Sequence, residues 1–156
     1  MAGIAGAFDR SLNLGDVVAV KQEALADLGV HEKEGYKDVF DLKLLAANEC
    51  PFKQKKLVNP FTVLMERTKL PLVGSVTVNQ ITSSKKTAEL YQTKYKAKIE
   101  NMEGAALHLV CMKENIPFVQ IRSISNYVGE RNKQKWKLKE AVQNLNKELI
   151  RLIEGL

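Results

Sequence analysis

Three stretches of the chain are apolar, rich in β-branched residues and bounded by polar or glycine-containing segments: residues 16–20, 70–78 and 117–124. They predict strands. A shorter strand is predicted over residues 97–101. Helical spacing appears elsewhere. Ser83 and Ser84 are placed to cap a helix running through Ala88, Leu90 and Tyr91. Met102, Ala105, Ala106, Leu109 and Val110 recur three and four apart. Leu138, Ala141, Val142, Leu145, Leu149, Leu152 and Ile153 line one face of a C-terminal helix, and Gly155 supplies a glycine stop.

Between these elements the pattern weakens. Residues 31–59 are polar and predict a loop with one short helix near residues 42–47. The opening Ala2-Gly3-Ile4-Ala5-Gly6 predicts a tight turn of small residues, which normally follows a buried strand. Its glycines let a ligand approach the backbone, or else mark a flexible terminus. It lacks the third glycine and the preceding strand of a dinucleotide fingerprint. Strands alternating with helices predict an α/β sheet with helices on its faces. At 156 residues the chain fits one domain, spanning 1–156.

Composition narrows the classes. No apolar run reaches the roughly 18 residues of a membrane span, and the first residues have no basic segment typical of a secretory signal. A cytoplasmic protein with no membrane partner is expected. The net charge is +6, from 24 basic against 18 acidic residues. The lysines are dispersed, and the 6% aromatics do not interleave with them, as a base-stacking surface would require. Nucleic acid is therefore not expected as a partner. Cys50 and Cys111 have no metal-ligand spacing with His31 and His108. Both read as structural thiols, with Cys111 on a buried helix.

Two polar residues stand out. Glu103 heads a helix, where a carboxylate satisfies first-turn amides and the dipole, or accepts from two adjacent hydroxyls. Asn126 follows an apolar strand, where an amide closes a turn, or donates and accepts in one plane. Those two chemistries hold a ribose and the edge of a heterocyclic base. Arg122 flanks the same strand end, where ligands of α/β sheets sit. Tyr127, Glu130 and Arg131 come next, in a loop that edges the site. Trp136 is expected to pack at the head of the last helix.

Five segments in order resemble the nucleoside phosphorylase and nucleosidase superfamily. They are Gly3-Ile4-Ala5-Gly6-Ala7-Phe8-Asp9, Leu14-Gly15-Asp16-Val17-Val18, Gly74-Ser75-Val76-Thr77-Val78-Asn79, Asn101-Met102-Glu103-Gly104-Ala105-Ala106, and Pro117-Phe118 with Ser125-Asn126-Tyr127-Val128-Gly129-Glu130-Arg131. Within it they are most similar to the futalosine hydrolase branch. The resemblance implies cleavage of the N-glycosidic bond of a purine nucleoside, with hypoxanthine released during menaquinone biosynthesis. It implies that Met102 lies against the ribose and Glu103 binds its hydroxyls. It implies that Asn126 contacts N7 and the 6-substituent, and that backbone at Ala5, Gly6 and Val78 lines the base pocket. Catalytic roles fall to Asn126 and Glu103. No metal or other cofactor is implied, and a homo-oligomer is.

Where adenine-type nucleosidases carry an aspartate, this chain has Asn126, which suits a 6-oxo base. Where phosphorylases carry a phosphate-binding hydroxyl, it has Ile4, which favours water as the acceptor. The resemblance also implies a segment ahead of the Ala2-Gly3 turn, carrying the first strands and the water-activating acid. The expectation is thus a three-layer, nucleoside phosphorylase-like α/β sheet with helices on both faces, N-terminally incomplete. The alternatives are a purine nucleoside phosphorylase, an adenosine-type nucleosidase, and a non-catalytic nucleoside-binding or interaction module.

Overall fold

Val17–Leu25 (β2) is the longest strand and holds the sheet together. Its first residues, Val17 to Ala19, pair antiparallel with Ile121–Tyr127 (β8). From Ala19 onward it pairs parallel with Leu72–Thr77 (β6). Beyond β6 lies Ile99–Asn101 (β7), then Ala2–Ala7 (β1), then β8 again. These five strands form a ring. Register irregularities at Ala5/Gly6 and Val20/Gln22 mark bulges, which add the twist that closure requires. Leu57–Val58 (β5) pairs on the outer edge of β2. The computed structural model describes residues 1–155.

Every strand of the ring contributes to one core of Ala5, Ala7, Val18, Val20, Val73, Ile99 and Ile124. Alternation then decides which helix meets which side. Val76 packs with Tyr91 and Tyr95 of Lys85–Tyr95 (α2). The neighbouring Thr77 hydroxyl accepts the Ala105 N–H at 2.8 Å, at the head of Gly104–Lys113 (α3). Helices therefore lie on both sides of β6. Leu138–Glu154 (α4) buries Ala141 and Leu145 and contacts β8, β1 and β2. Thr62–Arg67 (α1) precedes β6.

The expected strands and long helices are present, and Ser84 caps α2 by accepting from Thr87 N at 3.1 Å. Three expectations are corrected. Residues 2–6 are not a turn but β1, which lies between β7 and β8. Residues 31–59 contain no helix near 42–47; the chain turns there, with Lys43 at φ 59°. This region instead includes most of a hairpin, Gly29–Glu32 (β3) with Gly35–Asp38 (β4). Lys33 and Glu34 make its turn, and Gly35 opens β4 at φ +130°. Gly155 ends α4 at φ −93°, without a left-handed cap.

Candidate active site

Asn101 ends β7 and organises the start of the next helix. Its Oδ1 accepts the backbone N–H groups of Glu103 at 3.0 Å and Gly104 at 2.6 Å. Two of the free donors at the start of α3 are satisfied this way. Glu103 makes no side-chain cap of its own. Its carboxylate is thereby left for other partners, and the side chain is 61% exposed.

Arg122 is the buried cation of the site. Nη2 donates to Asn101 Oδ1 at 3.0 Å and lies 3.0 Å from Glu103 Oε2. Nη1 reaches the Ile4 carbonyl at 3.3 Å. The guanidinium passes so close to Gly3 that a Cβ there would meet Nη1 at 2.5 Å. This packing explains why a central strand opens on residues without bulk.

These groups line a cleft of about 530 Å³ along β1. The backbone of Ala5 and Gly6, Met102, Glu103, Arg122 and Asn126 all face it, as does Trp136. Asn126 is held by its neighbours. Oδ1 accepts from the Ser125 hydroxyl at 2.8 Å, and Nδ2 donates to the Tyr127 carbonyl at 3.2 Å. A second amide proton remains for a ligand.

Of the residues singled out from sequence, Val78 is not in the cleft. Its side chain is fully buried with Tyr91 and Tyr95, and its N–H donates to Asn101 O. Tyr127, Glu130 and Arg131 do not line it either. The Tyr127 hydroxyl donates to Leu12 O at 3.1 Å. Trp136 sits at the head of α4, its indole N–H donating to Glu130 O at 2.9 Å.

Glu23 was not foreseen. It is fully buried, and it accepts from Asn101 Nδ2 at 2.6 Å, Gln120 Nε2 at 2.9 Å and the Thr77 hydroxyl at 3.0 Å. Burial pushes its carboxyl up from the ordinary value, while those three hydrogen bonds pull it down. By fixing the Asn101 amide nitrogen, Glu23 turns Oδ1 toward Arg122 and the start of α3. Its sequence signal was Gly104, where a Cβ would meet Glu23 Oε1 at 2.0 Å.

Residues 1–154 match the model of the Phosphorylase superfamily. The chain belongs to that superfamily. Among curated members it is 30% identical over 153 residues to futalosine hydrolase of Thermus thermophilus, covering 97% of this chain and 67% of that protein. It is 27% identical to futalosine hydrolase of Streptomyces coelicolor, covering 92% and 60%. Among solved superfamily structures, futalosine hydrolase of Helicobacter pylori superposes with a TM-score of 0.79 at 21% identity, covering 99% of this chain and 66% of that one. A 5'-methylthioadenosine/S-adenosylhomocysteine nucleosidase from Colwellia psychrerythraea, in complex with adenine, gives 0.76 at 20%, covering 99% and 65%. The chain thus spans about three-fifths to two-thirds of these relatives' lengths.

Proposed function

We propose that these residues form the sugar- and base-binding part of a hydrolase that splits the N-glycosidic bond of futalosine and releases hypoxanthine, a step of menaquinone biosynthesis. The observation that carries the reading is the shared cleft. It has the Glu103 carboxylate, braced by Arg122, at one place and the Asn126 amide, braced by Ser125 and Tyr127, at another. The three curated futalosine hydrolase relatives support it.

In this reading Glu103 accepts the ribose hydroxyls, and Met102 lies against the sugar. Positive charge develops on the ribose as the bond to the base breaks. A carboxylate fixed beside it favours that charge. Negative charge develops on the leaving purine, and the Asn126 amide donates to it. An amide has no proton to transfer at ordinary pH, so the contribution is hydrogen bonding rather than general acid catalysis. Ile4 offers phosphate no donor from its side chain, which supports water as the acceptor.

The finer form of the reading is a three-layer domain, supported by helices on both sides of β6. It includes assembly as a homo-oligomer and a cytoplasmic location. Among the described residues no helix is long and apolar enough to cross a membrane. The test is the product of inosine cleavage in phosphate buffer. Free ribose supports hydrolysis; ribose 1-phosphate would assign the chain to the phosphorylases.

A further inference from the structure

Glu100 and Asn126 stand opposite the same residue. β1 runs between β7 and β8, and Gly6 pairs with Glu100 on one side and with Asn126 on the other. Register partners project to the same face of a sheet. At Gly6 there is no side chain to fill the space, and a Cβ would lie 3.3 Å from Asn126 Nδ2. The three residues make a slot two strand spacings wide, roughly 10 Å between the outer Cα atoms. All three line the cleft. A flat heterocycle resting on Gly6 meets a carboxyl at one end and an amide at the other.

The carboxyl has a vacant oxygen. Glu100 is only 7% exposed. Its Oε1 accepts the Thr82 N–H at 3.2 Å, and Oε2 is buried with no partner. No lysine or arginine among the described residues pairs with it in an ion pair. A buried acceptor left unmade costs about 1–3 kcal/mol, so such groups in native proteins call for an explanation. Burial raises the Glu100 carboxyl from its ordinary value, and the Asp27 charge adds to the rise. The group is thus strained toward taking a donor.

We propose that Glu100 is a specificity-determining residue whose Oε2 accepts the N1–H of a 6-oxopurine held by Asn126 at its other edge. The assignment rests on the nucleosidase reading and adds the second edge of the base. Asn126 reads the edge that carries N7 and the 6-substituent and leaves N1 unread. A 6-oxopurine carries a proton on N1, whereas a 6-aminopurine presents a lone pair there. A carboxylate accepts from the first and repels the second. Glu100 thereby adds, at N1, to the discrimination that Asn126 makes at the 6-substituent.

The test uses calorimetric titration of the purified protein with hypoxanthine and with 1-methylhypoxanthine, which has no N1–H. Release of hypoxanthine from futalosine is followed in the same preparations. The wild type is expected to prefer hypoxanthine by about tenfold or more, the scale of one lost hydrogen bond to a charged acceptor. Glu100→Gln keeps the shape and the acceptor for Thr82 but turns an N–H₂ toward N1. It should bring the two affinities to within about twofold, by loss on the hypoxanthine side. Equal binding of the two bases by the wild type, which needs no variant, overturns the assignment. So does a folded Glu100→Gln protein with an unmoved ratio. If futalosine is cleaved while that ratio stays fixed, only this assignment falls. If neither base binds and futalosine is not cleaved, the nucleosidase reading falls with it.

Discussion

The Arg122 guanidinium joins two residues of one motif: Nη2 lies 3.0 Å from both Asn101 Oδ1 and Glu103 Oε2. One cation from β8 thus fixes the end of β7 and the carboxylate that heads α3. The same Asn101 amide is held from behind by Glu23. A chain of contacts therefore runs from the buried interior of the sheet to the exposed carboxylate of the cleft.

Glu103→Ala should leave the fold intact, because Asn101, not Glu103, caps α3. Two hydrogen bonds to a charged acceptor are worth roughly 1.5–3 kcal/mol each. At about 1.4 kcal/mol per tenfold, kcat/KM should fall by about two to four orders of magnitude. Steady-state kinetics beside a circular dichroism spectrum checks this. A folded variant with unchanged kinetics removes Glu103 from the sugar site.

Asn126→Asp should shift preference from 6-oxopurine toward 6-aminopurine nucleosides. A carboxylate accepts from a 6-amino group, whereas it repels a 6-oxo group. A mismatched buried group costs roughly 1–3 kcal/mol, so the ratio of specificity constants for inosine and adenosine should move by about five- to a hundredfold. An unmoved ratio would mean that Asn126 does not read the base.

Gly104→Ala should destabilise the protein by several-fold more than an ordinary surface change, because the new Cβ would meet Glu23 Oε1 at 2.0 Å and Gln120 Nε2 at 2.5 Å. Glu23→Ala takes their acceptor from Gln120 Nε2 and the Thr77 hydroxyl, while Asn101 Nδ2 keeps Ser75 Oγ and Val76 O, and about 2 kcal/mol or more should be lost. Urea denaturation midpoints measure both. Wild-type midpoints would show that this polar cluster does not hold the sheet.

His108 gives a pH dependence. Burial lowers its pKa to about 4, and its Nδ1 faces the Leu57 carbonyl at 3.1 Å. The folded state binds this proton less readily than the unfolded chain. The stability is present above the unfolded value of about 6.5 and is lost as pH falls toward about 4. By about pH 5 the loss should be about 2 kcal/mol. Denaturation midpoints at about pH 7.5 and 5, for wild type and His108→Phe, check the sign. An equally steep acid loss in the variant assigns it to other groups.

Much of this arrangement was legible in the sequence. β6, β8 and α4 arise from apolar runs and helical spacing, and Glu103 and Asn126 were recognisable as polar groups at element ends. β1 was not, because Ala2-Gly3-Ile4-Ala5-Gly6 has little intrinsic strand preference. Its small residues instead answer to Arg122 and Asn126 lying across them. Glu23 was hidden for the opposite reason. Beside Lys21 and Gln22 it looks like a solvated face, and only the missing side chain of Gly104 makes room to bury it. In the β3–β4 hairpin, β3 is wholly exposed and the one fully buried residue of β4 is the polar Asp38, so no apolar core face produces alternation.

The most direct measurement is hypoxanthine release from futalosine by the active hydrolase that contains these residues, monitored with and without inorganic phosphate. Release is expected at the same rate in both, with the ribosyl product as the free sugar and with loss of the rate in Glu103→Ala. Release that requires phosphate, or an undiminished rate in Glu103→Ala, would contradict the reading.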